Sequence, residues 1–272
     1  MSEIKAPYQD FLPHLENKDY IGDSINFDVL NKLGIFILKA AIRKDVVNDY
    51  YKTYLAEIES GGIRQSEYHL TEVKFGEDSA LFKIIRDVNF LSIVNSFFDG
   101  HVGSDFIRVV KKDSTNFAPV FLHQDTGYQI GGFERYSSFI ALTHCNQENG
   151  GLILYPGTHN FGYLGDVGEI REILPFDYPR IESVLAPGDI LFMHSSIWHK
   201  SPENLSRKDR VYLEVHLQSI DEPSTRIELC GVRKSGWVLT MVEDEIFNNS
   251  RTQRLRKLYK EIKLADSSSQ RD

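Results

Sequence analysis

Between residues 105 and 230 the chain passes through eight short segments rich in Ile, Val, Phe and Tyr. They are "DFIRVVK" (105–111), "FAPVFLH" (117–123), "SSFIALT" (137–143), "GLILY" (151–155), "IESVLA" (181–186), "DILFM" (189–193), "RVYLEVHLQ" (210–218) and "RIELC" (226–230). Turn signals separate several of them: Asn149-Gly150-Gly151, Pro156-Gly157 and Pro187-Gly188-Asp189. A succession of strands with no helices between them has few solutions. It restricts this half to a sandwich or jelly roll, in which two sheets bury their inner faces against one another. At 272 residues the chain lies within the range that such units reach singly, and 41% hydrophobic residues supply a sizeable core.

The upstream third has a different texture. After two dozen polar, irregular residues, "GIFIL" (34–38) reads as a strand, followed by a helix through "KDVVNDYYKTYLAEIES". There Val47, Tyr51, Leu55 and Ile58 recur at three- and four-residue steps, and Gly61-Gly62 ends the run. A second helix is predicted within residues 79–100, with Ser79 as N-cap and Gly100 as stop. These N-terminal helices are expected to brace one sheet. A last helix, "RTQRLRKLYKEIKL" (251–264), places Leu255, Leu258 and Ile262 on one stripe and reads as a packing helix with a solvated basic face. The expectation is one domain over 1–272: a support region (1–104), a β core (105–232), a C-terminal helical segment (233–264) and a disordered tail (265–272).

Charge and cysteine usage narrow the functional classes. Acidic residues outnumber basic ones, 39 to 31, for a net charge of −8. That argues against nucleic acid or an anionic membrane as partner, since both reward excess Lys and Arg. Cys145 and Cys230 are far apart, so two thiols in a reducing cytoplasm are expected rather than a disulfide framework. The N-terminus shows no basic start followed by an apolar run, and "LGIFILKAAI" is broken by Lys39 and too short to span a bilayer. A soluble cytoplasmic protein is the expectation. Its oligomeric state is left open.

"FLHQDTGYQ" (121–129) carries the first hint of chemistry. Side chains two apart on a strand point the same way, so an extended segment projects His123 and Asp125 together while Gln124 faces away or begins a turn. A third ligand must come from a distant segment, and His199, in the connection after the strand at 189–193, supplies it. Two histidines and one carboxylate with open positions form the facial arrangement of non-haem Fe(II) oxygenases, although zinc or manganese also fits such a set. Arg210, opening the next strand, favours iron. A buried guanidinium needs an anion, and its fork suits the far carboxylate of a dicarboxylate whose 2-oxo acid end chelates the metal.

At this point the chain resembles a known family. "HKSPENLSRKDR" (199–210) matches the distal motif His-x-Ser-x-x-Asn-x-Ser-x-x-x-Arg of the phytanoyl-CoA dioxygenase family of Fe(II)- and 2-oxoglutarate-dependent oxygenases, with His199, Ser201, Asn204, Ser206 and Arg210 at its fixed positions. The family's proximal His-Gln-Asp corresponds to His123, Gln124 and Asp125, and its central block to "ENGGLILYPGTH" (148–159). "APGDILFMHSSIWH" matches the strand leading to the second histidine. With the strand succession, the resemblance implies a mainly β fold with flanking α-helices around a double-stranded β-helix (jelly-roll, cupin-like) core. It implies Fe(II) on His123, Asp125 and His199, with 2-oxoglutarate and O2 as cosubstrates. Arg210 and Ser201 would take the distal carboxylate, with Gln124 and Phe139 beside the cosubstrate. Phe139 is a departure, since relatives often carry Trp there. Halogenating relatives replace the carboxylate with a small residue, so the Asp125 retained here favours hydroxylation.

The remaining candidates are weaker. Tyr128, Gln129 and Arg135 follow the metal motif and are read as substrate contacts, against loop packing for the first two and a solvated charge for Arg135. His216 shares a strand face with Arg210 and is added to that set. His194, five residues before His199, is set aside as a ligand. His159 reads as a turn-stabilising hydrogen bonder and His144 as an ordinary polar residue. Likeness at the level of fold does not transfer a substrate. The expected substrate is a small metabolite or natural-product intermediate hydroxylated at an unactivated C–H. Desaturation, epimerisation or cyclisation by the same cofactors is the alternative, and a non-catalytic jelly-roll binding module is a more distant one.

Overall fold

A computed structural model describes residues 8–59, 64–65, 70–72, 80–105, 107–127, 132–163 and 177–236. The predicted C-terminal helix, the tail, Ser79, Tyr128 and Gln129 lie outside the described residues. The N-terminal part runs α1 (Leu12–Glu16), β1 (Ile21–Gly22), α2 (Phe27–Leu33), β2 (Ile35–Leu38), α3 (Lys44–Glu59), β3 (Arg64–Gln65), β4 (Leu70–Glu72), α4 (Val88–Val94) and β5 (Val102–Ser104). Then come β6 (Ile107–Lys112), β7 (Val120–His123), β8 (Tyr136–Ala141), β9 (Ile153–Tyr155), β10 (Ile181–Glu182), β11 (Ile190–His194), β12 (Trp198–Ser201) and β13 (Arg210–Ser219), with β14 (Ile227–Cys230) last.

From β6 to β13 the chain crosses back and forth between two sheets. The larger has the spatial order β6-β13-β8-β11 and the smaller β7-β12-β9-β10, all antiparallel. This is a double-stranded β-helix. The larger sheet is extended by β2 and β1 beyond β11 and by β4 and β3 beyond β6, while β5 and β14 pair at the far end of β13. No helix among the described residues is long and apolar enough to cross a membrane.

Period-2 alternation divides the larger sheet into two buried faces. Val109, Ile140, Phe192, Leu213 and Val215 point outward and meet Val29, Leu30, Leu33, Val47, Phe90 and Val94 from α2, α3 and α4. Ile35, Ile37, Phe139, Leu191, Met193 and Tyr212 point inward and meet Leu154 and Ile181 of the smaller sheet. Each such side chain removed from water contributes about 1.5–3 kcal/mol, so both layers stabilise the frame around the site. Local signals place α2: the Asn26 side chain accepts from Val29 N at 3.2 Å, and Gly34 (φ 73°) ends the helix and turns the chain into β2. A Cβ on Gly34 would lie 2.5 Å from Ile197 Cδ1, so the turn leaves no room for a side chain.

Several expectations need correction. The predicted helix over 79–100 is broken into a 3-10 segment Ala80–Arg86, α4, and a 3-10 turn Phe98–Gly100. Asp87 causes the break, because its side chain accepts from Asn89 N (2.9 Å) and Phe90 N (3.3 Å) and starts a new helix there. On α3 the buried stripe runs through Val47 and Tyr54, whereas Leu55 is 37% exposed. Tyr50 and Tyr51 flank that stripe, their hydroxyls donating to Asp87 and Asp209. The aromatic residues thus set the rotation of the helix. His199 lies on a strand, β12, rather than in a connection. Of the two thiols, Cys145 is buried and Cys230 only partly so; both are free.

Candidate active site

The β7–β12 pair brings the histidines together. His123 and His199 are direct cross-strand partners with ring centroids 4.1 Å apart. Each Nδ1 lies against the backbone carbonyl two residues earlier, His123 on Phe121 O (2.8 Å) and His199 on Ile197 O (3.0 Å). That places the ring proton on Nδ1 and makes Nε2 the atom that carries the lone pair. Asp125 opens a 3-10 turn just after β7, and its Oδ1 lies 3.6 Å from both Nε2 atoms. The ligand atoms of the three buried residues all fall within 4.8 Å of one another. Two imidazoles and one carboxylate, all on one side, suit a divalent transition metal with open positions.

The electrostatics agree with that assignment. Burial and the neighbouring His123 push His199 down to about 4, so its imidazole is neutral at physiological pH. Burial alone would raise the Asp125 carboxyl, but the two histidines hold it well below the usual carboxylate range. The other oxygen, Oδ2, accepts a hydrogen bond from Ser137 Oγ at 3.1 Å.

Along β13 the side chains of Arg210, Tyr212, Glu214, His216 and Gln218 share the inner face. Arg210 is only 2% exposed. Its guanidinium stacks over the Tyr212 ring at 4.7 Å, its Nε has no hydrogen-bond partner, and it makes no ion pair with a carboxylate among the described residues. Lys112 stands directly opposite on β6, also buried, with its ammonium on the carbonyls of Ser201 and Pro202. Burial and the charge of Arg210 push Lys112 down to about 7. A buried guanidinium without a carboxylate ion-pair partner among the described residues, faced by a buried amine, makes a receptor for an anion. Asn204 and Ser206 explain the rest of the distal motif. Asn204 Nδ2 donates to Lys208 O, Ser206 Oγ donates to Asn204 Oδ1, and the resulting turn delivers Arg210 to the start of β13.

Farther along β13 the lining becomes ionic. Glu214 is fully buried and pairs with Arg108 of β6. His216 Nε2 lies 2.9 Å from Glu214 Oε1, and its Nδ1 lies 3.5 Å from Asp105 Oδ1. Asp105 in turn pairs with Arg135 at 3.0 Å, and Arg135 also donates to Ser224 Oγ at 2.8 Å. Burial would lower His216, but bonding to Asp105 and Glu214 raises it to about 9, so it is a protonated donor at neutral pH. Asp125, Glu214 and His216 offer ligand atoms within 4.8 Å of one another, so this array abuts the metal cluster.

The expected site residues thus sort as follows. His123, Asp125, His199, Arg210 and Phe139 converge on the space between the sheets, Phe139 packing edge-on against Tyr212 at 5.7 Å. Ser201 is close by, but its hydroxyl donates to Gly150 O at 2.7 Å, which leaves only lone pairs for other partners. Gln124 turns away, its amide donating to Gly162 O and Ser196 O at 2.7 Å each. Arg135 is a buried member of the ionic array rather than a solvated charge. His216 belongs to the same array. His194 lies outside the site, 5.0 Å from the His159 ring and 5.4 Å from Tyr136. His159 reaches Asn31 O. Sequence reading missed Lys112, Ser137, Arg108, Asp105 and Glu214. Glu214 had a legible signal, since "RVYLEVHLQ" alternates Arg, Tyr, Glu, His, Gln with Val, Leu, Val, Leu.

Comparison with known proteins follows from this geometry. The profile of the family described as "Phytanoyl-CoA dioxygenase (PhyH)" matches residues 62–212. The human protein "Phytanoyl-CoA dioxygenase, peroxisomal" is 28% identical over 188 residues, 57% of this chain. The match spans 51% of that relative, so the chain corresponds to about half of its length. Among solved structures, the epimerase SnoN in complex with Fe3+, alpha ketoglutarate and nogalamycin RO superposes with a TM-score of 0.63 at 14% identity, covering 79% of this chain and 94% of that one. EctD from S. alaskensis with 2-oxoglutarate and 5-hydroxyectoine gives 0.62 at 16% identity, covering 76% and 79%. These two likenesses establish the fold, and the family profile spans more than half of the sequence. The chain belongs to the phytanoyl-CoA dioxygenase family of Fe(II)- and 2-oxoglutarate-dependent oxygenases.

Proposed function

We propose that this chain is an Fe(II)- and 2-oxoglutarate-dependent dioxygenase that hydroxylates an unactivated C–H bond of a small, polar metabolite or natural-product intermediate. One observation carries the reading: two Nε2 atoms and one carboxylate oxygen converge beside a buried guanidinium that has no carboxylate partner among the described residues. The donor set fits iron, and the unpaired Arg210 fits the far carboxylate of 2-oxoglutarate. When bound, the iron and cosubstrate supply the oxidising chemistry, in which 2-oxoglutarate and O2 end as succinate, CO2 and one oxygen atom in the product.

The residues of this chain hold and shape that centre. His123, Asp125 and His199 would bind the metal through one face and leave the other open. Arg210, with Lys112 opposite, would receive the distal carboxylate, and the Phe139–Tyr212 pair forms an apolar wall that limits water around the cosubstrate. The array of Arg108, Glu214, His216, Asp105 and Arg135 supports a polar substrate. Its buried, mutually paired charges place polar atoms beside the metal cluster, which a polar substrate can engage and an apolar chain cannot. His216 has its N–H groups directed at carboxylates, so it serves as a donor rather than a base.

Desaturation, epimerisation or cyclisation would need the same residues and a different substrate pose. The name of SnoN, an epimerase on this fold, keeps that alternative in view. A non-catalytic binding module is disfavoured by the intact ligand set and anion receptor. The test is succinate formation by the Fe(II)-loaded enzyme across a panel of polar metabolites. Replacing His123, Asp125 or His199 with Ala should abolish all substrate-dependent succinate. Undiminished turnover in any metal-loaded single variant would contradict the assignment.

A further inference from the structure

Of the three metal-facing side chains, Asp125 is the one with no lock of its own. Each histidine is fixed by a carbonyl two residues earlier on its own strand. Asp125 instead begins a short 3-10 turn after β7, an edge strand whose Val120 and Phe121 are exposed. Neighbours hold the chain on either side of Asp125: the Gln124 side-chain amide donates to Gly162 O and Ser196 O, and Thr126 N donates to Ser195 O at 3.2 Å. Those contacts hold the chain but leave the carboxylate free to rotate.

Ser137 supplies what is missing. It lies on β8, in register with Met193 of β11 on one side and His216 of β13 on the other, and is fully buried. Its hydroxyl donates to Asp125 Oδ2 at 3.1 Å and makes no other side-chain hydrogen bond among the described residues. Alanine would fill nearly the same volume, so packing alone does not account for the hydroxyl. Its position also opposes a repulsion, since the Glu214 carboxylate sits in the same cluster as Asp125.

We propose that Ser137 is a positioning residue: by holding Asp125 Oδ2 it presents Oδ1 alone to a divalent cation and keeps the carboxylate from spanning two coordination positions. A carboxylate free to bind through both oxygens would close one of the positions that two cosubstrates require. The proposal rests on the metal-site reading above. It concerns how the carboxylate is aimed, which that reading does not specify. Partners of this kind typically change metal affinity 10–100-fold, roughly, when removed.

Co(II) is the probe, titrated anaerobically into metal-free full-length protein by calorimetry and by the visible spectrum of the bound ion. Ser137→Ala should weaken Co(II) binding by about 10–100-fold and alter the visible band, while the metal-free protein still melts cooperatively. Ser137→Thr, which restores the hydroxyl, should recover affinity to within about threefold of wild type. Should Ser137→Ala fail to fold, Ser137→Val is the substitute, compared with Ser137→Thr, which has nearly the same shape and keeps the hydroxyl. Wild-type affinity and spectrum in the Ala or Val variant overturn the Ser137 assignment alone. Wild-type protein that takes up no Co(II) removes the metal reading and this proposal with it.

Discussion

Replacing Arg210 by Met tests the anion receptor in two opposite directions. The guanidinium is 2% exposed, stacked on Tyr212 and without a carboxylate partner among the described residues. In the ligand-free protein it is therefore a buried charge whose desolvation is not offset by an ion pair. Exchanging buried charge for a well-packed neutral side chain is commonly neutral or stabilising by about 1–4 kcal/mol. At roughly 2–4 °C per kcal/mol for a chain of this size, the metal-free variant should melt at the wild-type temperature or several degrees above it. Binding should move the other way. Losing one partner of a buried ion pair costs about 3–5 kcal/mol, or a factor of roughly 10²–10⁴ in 2-oxoglutarate affinity. The lower end is expected because Lys112, held down to about 7 partly by the charge of Arg210, regains its proton when that charge is removed. Thermal unfolding of the Co(II)-loaded proteins with and without 2-oxoglutarate reads both effects. At about 100 times its Kd the cosubstrate should stabilise wild type by about 2.7 kcal/mol and leave Arg210→Met almost unmoved. A variant that keeps the full 2-oxoglutarate shift, or whose metal-free form melts clearly below wild type, would refute the reasoning.

Two further outcomes test the frame around the site. Tyr54→Ala should cost about 3–5 kcal/mol in urea unfolding because Tyr54 is fully buried, whereas Leu55→Ala on the exposed side should cost under about 1 kcal/mol; the reverse ranking would contradict the rotation of α3. Burial and the nearby His159 push His194 from its ordinary 6.5 down to about 4, so the folded state prefers it neutral. Its stabilising effect is complete above about pH 6.5 and is lost as pH falls toward 4, by about 3 kcal/mol. His194→Gln should therefore flatten the acid limb of the stability curve measured on metal-free protein. An unchanged limb would show that His194 does not titrate in this range.

The parts of this protein that were legible in the sequence are those written in local patterns. The alternating strands carry their own signal within a few residues and form as expected, whereas Gly34, read as the start of a strand, ends the helix α2, which the sequence reading leaves as irregular chain. His123, Asp125 and His199 could be picked out because the first two are two apart and His199 opens a recognisable motif, and the structure brings the three together. What escaped was set by tertiary contact. Asp87 reads as an ordinary acid within a helix until its side chain is seen capping α4. Leu55 fits the helical period as well as Tyr54 does, and only the packed sheet decides which faces inward. Lys112 carries no local signal of a role, and only cross-strand register places it opposite Arg210. Ser137 has no local signal at all, since its partner lies 12 residues away in the turn that follows a strand of the other sheet.

We infer that His123, Asp125 and His199 form a competent iron centre that takes 2-oxoglutarate as a chelating cosubstrate. Anaerobic titration of Fe(II) and 2-oxoglutarate into the full-length protein, followed in the visible spectrum, tests it most directly. Wild type should develop a weak charge-transfer band that requires both additions, and His123→Ala, Asp125→Ala and His199→Ala should each lose it. No band in wild type, or an undiminished band in any of the three variants, would contradict the account.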